Sequence, residues 1–224
     1  MNKEQENLID KIHLIMNDEI ENNPVTYNTK TTPYQAYERI GFKGLRWSVE
    51  KRIKEYRLEQ FFNQEASILD IGSNFGFFVS EFAIHCKIVH GIEPNTWLND
   101  IGELTAKYLG VNNKVQFFDT KFINYSTNTK YDTVLCLASF FTQDKRERSD
   151  ANEYFLKINS LLKEKGYLFY ESTSYTKDED NLHYKAQIEA IRAIKNELKL
   201  VEEWETISGS EGYFRKFAIA TKIG

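Results

Sequence analysis

From Ala66 onward the sequence alternates short runs rich in Ile, Val, Leu and Phe with segments of helical period, and that alternation most limits what the chain can fold into. The strand candidates are Ser67–Ile71, Ile88–Ile92, Val115–Asp119, Thr133–Leu137 and Gly166–Glu171. Between them the spacing predicts helices over Phe77–Ala83, Leu98–Leu109, Asn152–Lys163 and about Asn181–Leu198. Near-continuous apolar strands separated by helices describe a parallel sheet covered on both faces. The end breaks the pattern. Leu200–Ile207 and Tyr213–Thr221 flank Ser208-Gly209-Ser210-Glu211-Gly212, whose two glycines predict a hairpin.

The expected fold is therefore α/β, a doubly wound, mostly parallel seven-stranded Rossmann-like sheet with an antiparallel last strand. Residues 1–65 read as a helical N-terminal extension and 66–224 as the main domain. Leu8, Ile9, Ile12, Ile15 and Ile20 lie near helical spacing, and Asn22-Asn23-Pro24 stops that helix. Residues 24–43 read as loop. Ser48 is a good N-cap and Glu50 suits the first turn, so a second helix is expected from Ser48 to about Phe62.

Composition excludes several classes. The 224 residues are 41% hydrophobic and 28% charged, which suits a folded domain and not a disordered chain. A formal net charge of -4 disfavours a dedicated nucleic-acid binder. Cys86 and Cys136 sit in apolar text and read as reduced core thiols. The polar, acidic opening carries no secretory pattern, and no stretch approaches the roughly 20 apolar residues of a membrane span. A cytoplasmic protein is expected, and nothing in the sequence sets an oligomeric state.

In a doubly wound sheet the ligand lies beyond the carboxyl ends of the strands. The first strand runs into Asp70-Ile71-Gly72-Ser73-Asn74-Phe75-Gly76, where Gly72 and Gly76 permit a tight turn and close approach of a ligand. Phe77 and Phe78 stand where a dinucleotide fingerprint would want its third glycine. The run fits D-x-G-x-G-x-G instead, with Asn74 at the middle glycine, a residue that tolerates positive φ. Glu93 ends the second strand, where an acid can accept both ribose hydroxyls of a nucleoside. Asp119 ends the third, where a carboxylate can accept from an adenine amino group.

These residues resemble the class I S-adenosylmethionine-dependent methyltransferases. The resemblance runs from Ile68 to the C-terminus, through Asp70–Gly76, Gly91-Ile92-Glu93, Phe118-Asp119, Tyr131–Ser139 and Leu161–Leu168. It implies S-adenosyl-L-methionine as cofactor, with the Asp70–Gly76 loop on the methionine half, Glu93 on the ribose and Asp119 on the adenine. Asn74 departs from the family's usual glycine. Upstream, Gly44-Leu45-Arg46 through Arg52 and Tyr56 to Leu58 is similar to methyltransferases of bacterial surface-polysaccharide sugars, as is Gly212–Ala218. That second likeness implies O-methylation of a sugar or glycan-linked group, on a small-molecule or glycan-precursor substrate.

Arg52 and Tyr56 are one helical turn apart and, with Arg46, could line a pocket for the cofactor carboxylate or a substrate phosphate. A solvated basic face is the alternative. Ser139, Gln143 and Asp144 border the cleft after the fourth strand; Lys145-Arg146-Glu147-Arg148 reads most simply as a solvated loop or helix start, though it too follows that strand. Glu171, ending the fifth strand, is the candidate general base, or else a structural acid. His13, His85, His90 and His183 show no metal-ligand spacing, so no metal is expected. The alternatives are a tRNA or small-molecule methyltransferase, and a non-catalytic cofactor-binding domain.

Overall fold

The computed structural model describes residues 2–24, 26, 28–29, 32–142, 150–209 and 211–223. Its helices are α1 (Lys3–Asn22), α2 (Val49–Glu55), α3 (Phe77–His85), α4 (Thr96–Tyr108), α5 (Ser139–Thr142), α6 (Ala151–Leu161) and α7 (Leu182–Glu197). Its strands are β1 (Ser67–Ile71), β2 (Ile88–Ile92), β3 (Val115–Phe118), β4 (Tyr131–Leu137), β5 (Leu162–Glu171), β6 (Lys199–Ile207) and β7 (Phe214–Thr221). The sheet has seven strands in the order β3-β2-β1-β4-β5-β7-β6. β1 to β5 pair in parallel where their registers are defined, and β7 is antiparallel to both β5 and β6. The doubly wound sheet is thus as the alternation implied, and its antiparallel closing strand as the hairpin implied.

The chain divides into two compact units. The first holds Met1–Ala66 and Ser73–Asp119. Asn2 caps α1 by accepting from the Gln5 N–H, and the helix buries Leu8, Ile12 and Met16. α2 begins at the Ser48 cap but stops at Glu55, short of the expected Phe62. Arg57 takes a left-handed conformation (φ 57°), and a single 3₁₀ turn, Leu58–Phe61, follows and buries Leu58 and Phe61. α3 buries every residue from Phe77 to Ala83, so it has no solvent face to give it an amphipathic period.

Buried rings knit this unit together. Tyr37 and Phe42 pack on Phe77, Phe42 meets Phe75, and Phe75 meets Phe77, at centroid distances of 5.3 to 6.1 Å. Glu81 of α3 accepts from Tyr37 Oη at 2.6 Å and from Arg39 Nε and Nη2 at 2.6 and 2.7 Å. Burial alone would raise the Glu81 pKa, but these hydrogen bonds and the Arg39 charge outweigh it and hold the carboxyl below its ordinary value.

The second unit holds Ser67–Gly72 and Thr120–Gly224. β1 is buried on both faces and runs parallel to β4, with Asp70 opposite Leu135. The start of β1 is fixed by Asp132, which accepts from the Ser67 N–H at 2.7 Å and from Lys163 Nζ at 2.7 Å. The helix expected through Lys163 ends at Leu161, because Leu162 already pairs with Tyr131. The register then shifts to Thr133 opposite Tyr167. Helical and strand text overlap there, and the ladder wins.

Candidate functional site

In the first unit the candidate residues cluster after β2 and β3. Glu93 follows β2, and its two carboxylate oxygens accept from different backbone amides: Oε2 from Asn74 at 3.1 Å and Oε1 from Asn95 at 3.0 Å. Asn74 takes φ 52°, between Gly72 (φ 73°) and Gly76 (φ 66°). The three left-handed residues curl the loop, and asparagine fills the middle place because it tolerates that region. The Ser73 N–H donates to the Ile92 carbonyl at 3.0 Å, holding the loop against the end of β2.

Asp119 accepts from Asn99 Nδ2, and the same amide donates to the Glu93 carbonyl at 2.8 Å. Asn99, on α4, therefore holds the ends of β2 and β3 in one arrangement. Burial and then the Asp119 charge raise the pKa of neighbouring Asp100. The spacing of Asn99 on α4 carried no signal for this role. Ser73 Oγ, Asn74 Oδ1 and Asn99 Oδ1 are buried with no hydrogen-bond partner among the described residues. Such groups are costly unless water or a polar ligand satisfies them.

Glycines make room beside them. A Cβ on Gly91 would lie 2.7 Å from Ser73 Oγ and 2.9 Å from the Phe117 ring, and one on Gly76 would lie 2.6 Å from that ring. Phe117 thus packs under the glycine loop. Polar groups without partners, a ring-floored backbone curl and two acids at consecutive strand ends fit a nucleoside carrying a polar tail.

The upstream arginines also come together. Arg46 Nη1 donates to Tyr34 Oη at 3.0 Å and its Nη2 to Tyr56 Oη at 3.5 Å. Arg52 is buried, with its guanidinium 4.6 Å from the Phe78 ring centroid and 5.5 Å from that of Tyr56. Trp47 is exposed, with Lys51 Nζ 4.0 Å from its ring centroid, whereas Tyr37 is wholly buried. A groove of about 790 Å³, lined by Lys11, Leu14, Asp100, Lys107 and Phe117 among others, contains none of the candidate residues.

In the second unit, Asp70 is buried near the end of β1. A Cβ on Gly72 would lie 2.7 Å from Ser139 Cβ, so this turn and the start of α5 touch. Ser139 is buried, its Oγ 3.3 Å from Cys136 Sγ, and Cys136 in turn meets Tyr154 Oη at 3.6 Å. Burial pushes the Cys136 thiol up, against the hydrogen bonds of Ser139 and Tyr154, so it stays a thiol. Ala138, before α5, takes φ 61°, and its N–H donates to the Glu171 carbonyl at 2.8 Å. Glu171 has no exposed surface, and its carboxylate accepts from Arg215 Nη1 at 2.7 Å. That place suits holding Arg215 better than taking a proton from an acceptor. Gln143, Asp144 and residues 145–148 lie outside the described residues. Among the described residues no group of three or more His, Cys, Asp or Glu could hold a metal ion, and no helix is long and apolar enough to cross a membrane.

No protein-family profile and no curated protein matches the sequence. Solved structures do match. The N-methyltransferase NodS from Bradyrhizobium japonicum WM9, in complex with S-adenosyl-L-homocysteine, superposes with a TM-score of 0.62 at 15% identity, over 77% of this chain and 86% of that one. The chain has the fold of the S-adenosylmethionine-dependent methyltransferases. A second example, from Thiobacillus denitrificans and also in complex with S-adenosyl-L-homocysteine, gives a TM-score of 0.58 at 12% identity, over 78% and 91% of the two chains. The cyclase SpnF gives 0.63 at 12% identity, over 75% and 80%. One fold thus serves more than one reaction, and function has to be argued from the site.

Proposed function

We propose that this protein is an S-adenosyl-L-methionine-dependent methyltransferase. The observation that carries the reading is Glu93, placed at the end of β2 and held by the amides of Asn74 and Asn95. An acid so fixed is ready to accept from both ribose hydroxyls. Asp119 would take the adenine amino group, while Asp70, Gly72, Asn74 and Gly76 would hold the methionine half. Arg46 would meet its carboxylate. Bound there, the cofactor would supply an activated methyl group, so the chain's work is largely positioning. Residues 1–65 would form an extension over this site.

For the acceptor we infer a carbohydrate-linked hydroxyl on a bacterial surface-polysaccharide precursor. The support is Arg52 beside Tyr56, with Tyr34 and Tyr56 held through Arg46 and exposed Trp47 next in sequence. Arginines suit phosphates, and aromatic faces suit the C–H faces of sugars. Ser139 would line the acceptor side.

Titration calorimetry with S-adenosylhomocysteine tests the cofactor reading. Binding to the wild type is expected, weakened roughly 10- to 100-fold by Glu93→Ala, the range for hydrogen bonds to a charged group. Absence of binding, or equal binding by the variant, would refute it. Methyl-labelled cofactor incubated with nucleotide sugars, capsular oligosaccharides and unmodified tRNA as separate pools tests the acceptor. Label confined to the tRNA pool would overturn the sugar assignment.

A further inference from the structure

Glu19, on α1, is 1% exposed, and its two carboxylate oxygens accept four side-chain hydrogen bonds. Three come from the segment that follows α1: Asn23 Nδ2 at 3.0 Å, Thr26 Oγ1, and Asn28 Nδ2 at 3.1 Å. The fourth comes from Asn95 Nδ2, 76 residues away, at 3.1 Å to Oε1. A carboxylate offers about four lone-pair sites, and here each has a neutral donor.

Asn95 is the informative partner. Its backbone N–H donates to Glu93 Oε1 at 3.0 Å, and its Oδ1 caps α4 by accepting from the Trp97 N–H at 3.1 Å. The residue is pinned on three sides, and one of them is the acid assigned above to the ribose. A knot serving only the α1 turn would need Asn23, Thr26 and Asn28 but not Asn95.

We propose that Glu19 is a positioning residue for cofactor binding, which through Asn95 sets the Glu93 carboxylate for the ribose. The inference rests on the proposed cofactor reading. Glu19 touches no ligand itself. It fixes the Asn95 side chain, and with it the backbone amide that aims Glu93, so the orientation is in place before the ribose arrives. α1 thereby belongs to the binding apparatus and not merely to the fold.

The test is S-adenosylhomocysteine titrated into the wild type, Glu19→Gln, Asn95→Ser, Glu93→Ala and the Glu19→Gln/Glu93→Ala pair. Glu19→Gln keeps one acceptor oxygen but replaces the other with an NH2 that faces donors, while Asn95→Ser keeps a capping hydroxyl but cannot reach Glu19. Each is expected to weaken binding roughly tenfold, the scale of one charge-assisted hydrogen bond. On the Glu93→Ala background Glu19→Gln should cost nothing further, since its effect passes through Glu93. A general loosening of structure would give the same loss on both backgrounds, and that result overturns the inference. So does unchanged affinity in folded Glu19→Gln. If Glu19→Gln does not fold, Asn95→Ser alone and on the Glu93→Ala background decides by the same two outcomes. A wild type that binds nothing overturns the cofactor reading and this inference together. Binding sensitive to Glu93→Ala but indifferent to Glu19 overturns this inference alone.

Discussion

Arg215 and Glu171 form an ion pair inside the second unit, 44 residues apart in sequence, with Nη1 and Oε1 at 2.7 Å and side-chain exposures of 14% and 0%. The same guanidinium donates to the Ser172 carbonyl at 3.0 Å and through Nε to Ser208 Oγ at 2.9 Å. Arg215 thus joins the end of β5 to both ends of the β6–β7 hairpin turn. Glu171→Gln removes the counter-charge and strands a mostly buried guanidinium. A loss of about 3 kcal/mol is expected in chemical denaturation. Affinity for S-adenosylhomocysteine is expected to stay within a few-fold of the wild type. A variant of native stability that lost only methyl transfer would instead make Glu171 the base.

Gly102 tests the packing below the glycine loop. A Cβ there would lie 2.5 Å from Phe117 Cζ, and the ring is already hemmed in by Gly76 and Gly91. Alanine is favoured over glycine within a helix by about 1 kcal/mol. Overpacking commonly costs about 1–3 kcal/mol and should win. Gly102→Ala is expected to melt below the wild type despite its better helix propensity, and a higher melting temperature would contradict the packing.

The Tyr37–Arg39–Glu81 cluster sets an acid limit on the first unit. The folded Glu81 pKa lies below 4.5, its ordinary value, so the unfolded chain takes up the proton first. The stabilisation is complete above about pH 4.5 and fades as pH falls through the lower, folded value. Glu81→Gln should flatten the acid limb of stability measured by denaturant titration between pH 3 and 5 (a range of about two units around the ordinary carboxylate value). An unchanged limb would mean that other carboxylates govern it.

Metal removal is the simplest check on the proposed chemistry. Methyl transfer from a sulfonium needs positioning and not a Lewis acid. Cofactor binding and label transfer are expected to survive EDTA unchanged. Activity abolished by EDTA and restored by Mg²⁺ would require a different account of the site.

What the sequence determined by itself was local and periodic. β1 and β2 occupy the residues where apolar runs placed them; β1 is buried along its whole length, as a strand covered on both faces must be, whereas β2 begins exposed at Ile88. The left-handed curl of Gly72, Asn74 and Gly76 was legible because backbone conformation restricts residue type directly. Tertiary structure alone decided the side-chain partnerships. Glu171 reads as a candidate base or a structural acid until Arg215 lies beside it, and Glu19 reads as one of the acids between the apolar positions of α1 until Asn95 reaches it. The helix from Ser48 stopped at Glu55 for a similar reason, since burying Leu58 and Phe61 required the chain to turn at Arg57. A pairing between residues far apart imposes no spacing on either neighbourhood, so it leaves no trace in periodicity. It exists only once the sheet has fixed where the strand ends meet the helices.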